Sequence, residues 1–159
     1  MPTFVTGGQI GIDLTAVAAT PLFTPGTVVN LSDGGQAVYV KALSDISQYA
    51  AVVIDASQAA VMVTTTNVAN NKRVGFAQTS IASSFFGWVQ IGGVPLVNCA
   101  ANCAPNVPLF TTGTAGVLDD ATVSAGYIQG VVATNTISNA TAITMIAAYP
   151  HATFWSGSP

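Results

Sequence analysis

Short runs of β-branched and apolar residues recur along the chain, and clusters of Gly, Asn, Asp and Pro separate them. This spacing is typical of strands, and no segment has a convincing helical period. The pattern therefore predicts an all-β fold, a compact β-barrel or β-sandwich of short antiparallel strands. The predicted strands cover residues 28–31, 37–42, 50–55, 61–66, 86–91, 94–98, 107–111, 127–133 and 143–149. One short helical turn is predicted within residues 42–49.

Residues 75–95 carry most of the aromatic side chains of the middle of the chain, and we expect the other strands to lie against them. Gly92 and Gly93 separate two β-rich runs in this stretch. Two glycines that tolerate positive φ fit a two-residue hairpin turn. The resulting register would place Ile91 opposite Val94.

A short sequence repeat suggests internal duplication. Residues 108–114 read PLFTTGT and residues 21–27 read PLFTPGT, so the two segments differ at one position. We interpret them as a partial internal repeat, two similar strand-and-turn units around one barrel. Coincidence in a chain rich in Thr and Gly is the alternative.

The positions of glycine and proline along the chain predict three parts. Residues 1–20 are read as an extended N-terminal arm, residues 21–150 as one β-rich domain and residues 151–159 as a C-terminal tail. The arm is rich in glycine around isolated apolar residues, which is typical of segments that dock on a partner. A first strand of the main sheet is the alternative for the same residues.

The most informative feature of the composition is the small fraction of charged residues. Hydrophobic residues make up 50% of the chain and charged residues only 6%, against a usual charged fraction of about 25%. A surface so poor in charge is typical of a protein that packs against neighbours. A small, weakly charged globular domain is the alternative.

The same composition argues against several partners. The net charge is −3 and the only basic side chains are Lys41, Lys72 and Arg73, whereas nucleic-acid binding needs a basic footprint. No apolar run approaches the roughly 18 residues that span a bilayer. The N-terminus shows no signal-peptide pattern, so we expect synthesis in the cytoplasm.

Candidate chemistry is sparse, so we expect neither an enzyme nor a cofactor. The only histidine, His151, lies in the tail, and no nucleophile and base are spaced to form a triad. Asp119 and Asp120 are adjacent, which in a strand would point them to opposite faces, and we expect them to satisfy N–H groups of a turn. Cys99 and Cys103 lack a nearby acid or histidine in the sequence, so no metal site is predicted. Reduced thiols are expected, with a local disulfide as the alternative.

Several of these strand and turn segments resemble the capsid cement, or decoration, proteins of tailed bacteriophages, including those of short-tailed cyanophages. The similar segments are residues 38–42, 75–79, 86–91, 108–112 and 115–120. They are spread over most of the chain between residues 21 and 149. The resemblance implies a β-rich homotrimer on the outer surface of an icosahedral head, at threefold positions between major capsid subunits. There it would stabilise the expanded lattice.

The resemblance also implies partners and contact residues. The partners would be the major capsid protein and the chain itself, with no nucleic acid and no membrane. The contact residues are expected in the arm and the tail, where apolar side chains have no predicted sheet to pack in. They are Phe4, Val5, Ile10, Ile12, Phe154 and Trp155. A head or tail fibre subunit present in few copies, a cellular binding module or surface-layer protein, and an enzyme are the alternatives.

Overall fold

The computed structural model describes residues 4–5, 9–10, 12–68, 72–122, 126–134 and 142–148, and these ranges contain strands, turns and no helix. The predicted all-β fold is therefore confirmed. The strands are β1 (Phe4–Val5), β2 (Gln9–Ile10), β3 (Val17–Ala18), β4 (Val28–Asn30), β5 (Gln36–Ala42), β6 (Ala51–Ile54), β7 (Ala59–Met62), β8 (Arg73–Ala77), β9 (Phe86–Gln90), β10 (Leu96–Cys99), β11 (Pro108–Thr111), β12 (Leu118–Asp119), β13 (Tyr127–Ala133) and β14 (Ala142–Ala148). Within the described ranges, no helix is long and apolar enough to cross a membrane.

The strands form three sheets. β1 and β2 make a two-stranded sheet of their own, and strands β10 to β14 make a closed barrel in the order β10-β12-β11-β13-β14. Strands β3 to β9 form a seven-stranded sheet in the order β3-β9-β8-β6-β7-β5-β4. β9 also pairs with β5, so this sheet curls and five of its strands, β5 to β9, form a ring of pairings.

The ring β5 to β9 and the barrel β10 to β14 have the same connectivity. In each, the first strand pairs antiparallel with the fifth and parallel with the third. The second strand pairs antiparallel with the third and the fourth, and the fourth pairs antiparallel with the fifth. We call them the first ring and the second ring.

The register of the two rings agrees except between the second and fourth strands, where the second ring has a register shift between Pro108 and Leu109 that the first ring lacks. The equivalent pairs are Tyr39–Trp88 with Leu96–Met145, Ile54–Ala60 with Thr111–Leu118, and Ala77–Val89 with Ala133–Ile146. The separation in the first and second strands is 57 residues, as from Tyr39 to Leu96 and from Ile54 to Thr111. The chain is thus a tandem repeat of one five-stranded unit.

Loops outside the strands follow the same spacing. Tyr49 and Asn106 occupy equivalent positions and both have positive φ, 61° and 58°. The Tyr49 N–H donates to the carbonyl of Ala77 at 2.7 Å, and the Asn106 N–H donates to that of Ala133 at 2.8 Å. A left-handed conformation is uncommon for residues other than glycine, so its recurrence at matched positions supports the equivalence independently of the strand pairings.

Three predictions from the sequence are wrong. The repeat of residues 21–27 in residues 108–114 does not mark the structural repeat, because the first segment precedes β4 while the second contains β11. Gly92 and Gly93 do not form a hairpin turn, because β9 pairs with β3, β5 and β8 and β10 pairs with β12 and β14. The two glycines instead join the rings. Residues 42–49 form no helical turn, since Ile46 makes an isolated antiparallel bridge with Ile81.

Two hydrophobic clusters fill the rings. One fills the first ring and includes Val52 and Ile54 of β6. The other fills the second ring and also contains Ala51 and Val53, from the opposite face of the same strand. Both faces of β6 are covered, which explains why all four of its residues are buried. β6 therefore contributes one face to each of the two clusters.

Candidate functional site

The N-terminal contact residues predicted from the sequence lie mainly on a separate ribbon formed by β1 and β2. Phe4 is paired with Ile10 and Val5 with Gln9 in antiparallel register. Within the described residues this ribbon belongs to neither larger sheet. An isolated two-stranded ribbon is marginally stable in water, and both of its edges present N–H and C=O groups that can pair with another strand.

The chain reaches the main sheet at Ile12, which completes the set of predicted arm residues. Ile12 and Leu14 are partly buried and pack against a cluster formed by Ala37, Tyr39 and Trp88 on the outer face of the first ring. β3, at residues 17–18, then pairs with β9. The other two predicted contact residues, Phe154 and Trp155, lie outside the described residues. Partner contacts of all six residues stay predictions.

Aromatic contacts fix the segment that carries the ribbon. The Phe23 ring lies 5.4 Å from the Tyr39 ring and 5.2 Å from the Trp88 ring between centroids, and Tyr39 and Trp88 lie 4.9 Å apart. The backbone N–H of Leu22 also donates to the Tyr39 hydroxyl at 3.2 Å. Pairs of this geometry stabilise beyond the area that they bury. The ribbon therefore emerges from a well-anchored base.

Exposed apolar side chains surround the ends of the same sheet. Leu22 is 65% exposed and Leu43 is 55% exposed, while Val17 on β3 and Val28 on β4 are each 43% exposed. β3 and β4 are the two end strands of the seven-stranded sheet. Short end strands with exposed apolar side chains are suited to contact with another protein chain.

A second candidate site lies on the second ring. The Cys103 sulfur and carboxylate oxygens of Asp119 and Asp120 all lie within 4.8 Å of one another. The backbone N–H of Ala104 donates to Asp120 Oδ2 at 3.0 Å, and the N–H of Asp120 donates to Asp119 Oδ1 at 2.9 Å. The prediction that the two Asp side chains satisfy local N–H groups is confirmed for Asp119, whereas Asp120 accepts from a residue that is distant in the chain. The opposite-face arrangement expected of neighbours in a strand does not hold, because β12 ends at Asp119 and the strand alternation ends with it.

Burial and like charge dominate the electrostatics of this cluster. Desolvation raises the pKa of Asp119, and contact with the Asp120 carboxyl raises it further. Desolvation also raises the pKa of Cys103 to about 11, with the two Asp carboxylates adding to the effect. The pKa of Cys99, which is fully buried beside Cys103, is raised by the same causes. Both cysteines are free, and near neutral pH they are protonated thiols.

No protein-family model matches the chain, and a search of curated proteins finds no match. The function of the chain must therefore be argued from its own residues.

The second site could not be predicted from the sequence, because Cys103 is far from Asp119 and Asp120 in the chain. Asp119 follows Cys103 by a full strand and a turn, and only the parallel pairing of Cys99 with Leu118 brings them together. The signal that could have identified the cluster is the 57-residue structural repeat. It places Cys103 at the position of Ile46, and in the third strand, where the spacing is 58 residues, Asp119 takes the position of Val61.

Proposed function

We propose that the chain is a capsid cement protein, which binds the outside of a phage head and stabilises the lattice of its major capsid protein. The observation that carries the proposal is the ribbon of β1 and β2, a pair of strands that joins neither of the two larger sheets in the described part of the chain. Such a ribbon becomes stable when another sheet extends it. The partner sheet would be that of a capsid subunit or of a neighbouring copy.

The character of the surface supports the same proposal. Only nine of 159 residues are charged, three basic and six acidic. Exposed apolar side chains also occur at both end strands of the sheet. A protein that works in a crowded lattice of neighbours needs less charge to stay dispersed than one that circulates freely. These features favour a structural role over a diffusible binding module.

The energetic argument for a cement protein is that its binding is linked to assembly of the lattice. A protein that binds only the assembled lattice stabilises that lattice by mass action. A trimer presents three ribbons to three equivalent capsid positions, so their binding is cooperative through effective concentration. Threefold symmetry of the trimer would match that of its site. We therefore include the homotrimer in the proposal.

Copy number is the first test. Quantitative mass spectrometry of purified particles from the source of the chain compares its copies with those of the major capsid protein. We expect a near-stoichiometric ratio. A handful of copies per particle would favour a fibre or tail subunit, and absence from the particles would overturn the proposal.

Binding to undecorated heads tests the role of the ribbon. Deleting residues 1–10 removes β1 and β2 and leaves Ile12 and Leu14, which pack on the sheet. We expect a folded protein that no longer decorates heads in a sedimentation assay. Val94→Ser is the matched control and should leave binding unchanged, because Val94 is an exposed apolar residue that lies outside both the ribbon and the end strands of the sheet. Undiminished binding of the deletion variant would exclude the ribbon as the docking element.

A further inference from the structure

The two carboxyl groups of the second-ring cluster pose an electrostatic problem. Asp119 and Asp120 are in contact with one another, and two carboxylates side by side repel each other. The three basic side chains of the chain are Lys41 on β5, Arg73 on β8 and Lys72 just before it, all in the first ring. The cluster is on the second ring. A bound cation would relieve the repulsion.

Comparison of the rings shows that the fold does not require polar groups here. The positions equivalent to Cys103, Asp119 and Asp120 are Ile46, Val61 and Met62 in the first ring. Ile46 is 1% exposed and packs in the first-ring core, with Met62 packed against that core. The same barrel thus closes with three apolar side chains. Folding alone therefore does not explain why a thiol and two carboxylates occupy the matched positions in the second ring.

The donor atoms suit a thiophilic divalent cation. We propose that Cys103, Asp119 and Asp120, with the adjacent Cys99 as a further sulfur donor, bind a cation of the Zn²⁺ type. Zinc accepts thiolate at about 2.3 Å and carboxylate at about 2.0–2.2 Å, so tetrahedral donors lie about 3.5 Å apart. The Cys103 sulfur and the carboxylate oxygens of Asp119 and Asp120 lie within 4.8 Å of one another. Rotation of the two partly exposed Asp side chains can close the difference, and each coordinating thiol releases its proton to solvent on binding.

The hard cations fit less well. Mg²⁺ and Ca²⁺ take oxygen ligands, and the Cys103 sulfur is fully buried at the centre of the cluster. Softer cations accept thiolate together with carboxylate. The site should therefore discriminate in favour of Zn²⁺ and Cd²⁺.

The experiment is calorimetric titration of the reduced full chain with Zn²⁺, Cd²⁺ and Mg²⁺. His151→Ala is the working background, because an imidazole in the tail could itself bind zinc. We expect one Zn²⁺ per chain, no response to Mg²⁺, and an ultraviolet thiolate-to-metal charge-transfer band with Cd²⁺. Cys103→Ser and Asp119→Asn should each weaken the affinity at least about tenfold, whereas Asp33→Asn, which lies on the β4–β5 turn, should not.

A second variant keeps the result interpretable if the single substitutions alter folding. Cys103→Ile, Asp119→Val and Asp120→Met together give the second ring the residues of the first ring at these positions. Circular dichroism should show the same β structure and calorimetry should show no cation binding. Absence of Zn²⁺ binding by the unsubstituted cluster would overturn the proposal. Binding that survives Cys103→Ser unchanged, or that survives in the triple variant, would also overturn it.

Discussion

The first and second rings carry out the same pairing scheme with different residues. The first ring is filled by aliphatic side chains and covered on its outer face by aromatic packing around Tyr39 and Trp88. In the second ring Leu96 takes the position of Tyr39, and two cysteines and a threonine are among its buried residues. A shared backbone register does not require shared side chains. It requires only that inward positions be filled and that each strand find its partner.

The two rings also differ in the turn before the third strand, which in the second ring contacts the first ring. Gln58 in the first ring and Gly116 in the second hold matched positions in the turn before the third strand, and both have positive φ, 63° and 75°. The Gln58 carbonyl accepts from the N–H of Lys41 within its own ring at 3.1 Å. The Gly116 carbonyl accepts instead from the N–H of Ala51, in the first ring, at 2.9 Å. One of the two turns has thus become the junction between the rings.

The strongest test of this comparison is to place the first-ring residue, Gln58, at the matched position of the second ring, Gly116. A side chain at Gly116 would place its Cβ 2.6 Å from the Cβ of Ala50 and 3.2 Å from the Met62 sulfur. We expect Gly116→Gln to lower the free energy of unfolding by about 2–4 kcal/mol, from overpacking and the left-handed conformation together. Urea denaturation followed by circular dichroism measures the loss.

Two controls separate junction packing from a general intolerance of side chains. Gly113→Ala, in the same turn, meets no atom within 4 Å and should change the free energy of unfolding by less than about 0.5 kcal/mol. The reverse exchange, Gln58→Gly, should cost less than about 1 kcal/mol, because glycine adopts positive φ freely. A Gly116→Gln variant as stable as the unsubstituted chain would show that the rings do not meet tightly at this turn.

Local patterns predicted the strands well and their long-range partners poorly. Alternation and turn residues located β5, β6 and β13 closely, because these depend on neighbours in the chain. The parallel pairing of β5 with β7, and of β10 with β12, could not be predicted in this way, since it joins strands that are not consecutive. The Gly92-Gly93 hairpin failed for the same reason, because a favourable turn sequence did not reveal that each flanking strand pairs with other strands. The cluster of Cys103, Asp119 and Asp120 depends on the β10–β12 pairing and was missed with it.

The cores of the two rings also differ, and a substitution that should stabilise the second ring tests this difference. Thr111 takes the position of the aliphatic Ile54 and is fully buried, and among the described residues its hydroxyl oxygen has no hydrogen-bond partner. An unsatisfied buried polar group costs about 1–3 kcal/mol. Thr111→Val keeps the shape and removes the hydroxyl, so we expect the free energy of unfolding to rise by about 1–2 kcal/mol.

The reciprocal variant gives the control for this exchange. Ile54→Thr places a hydroxyl in the first-ring core, where the native residue is 3% exposed, and should lower the free energy of unfolding by about 2 kcal/mol or more. Both changes are measured by urea denaturation. Loss of stability in Thr111→Val would mean that the Thr111 hydroxyl has a hydrogen-bond partner after all.

The smallest expected effect concerns the turn between the second and third strands of each ring. Asp55 Oδ1 accepts from the Ser57 hydroxyl and from the N–H groups of Ser57 and Ala59, at 2.6, 2.8 and 3.0 Å. At the matched turn Thr112 Oγ1 accepts from the N–H of Thr114 at 3.1 Å. These bonds, led by that from the Ser57 hydroxyl, hold the pKa of Asp55 below its ordinary value of 3.8. A hydroxyl acceptor does not titrate, so only the first turn should respond to acid.

The direction of the pH effect follows from that lowered pKa. The stability that the Asp55 carboxylate contributes is fully present above about pH 4 and is lost as the pH falls through its lowered folded-state pKa. Because Asp55 is exposed, water competes for the same hydrogen bonds and the contribution stays below about 1 kcal/mol. Asp55→Thr, which copies the second turn, should therefore flatten the fall in the free energy of unfolding between pH 5 and pH 2. The parallel variant Thr112→Asp should steepen it, and an unchanged slope in both would show that the two turns do not differ in this way.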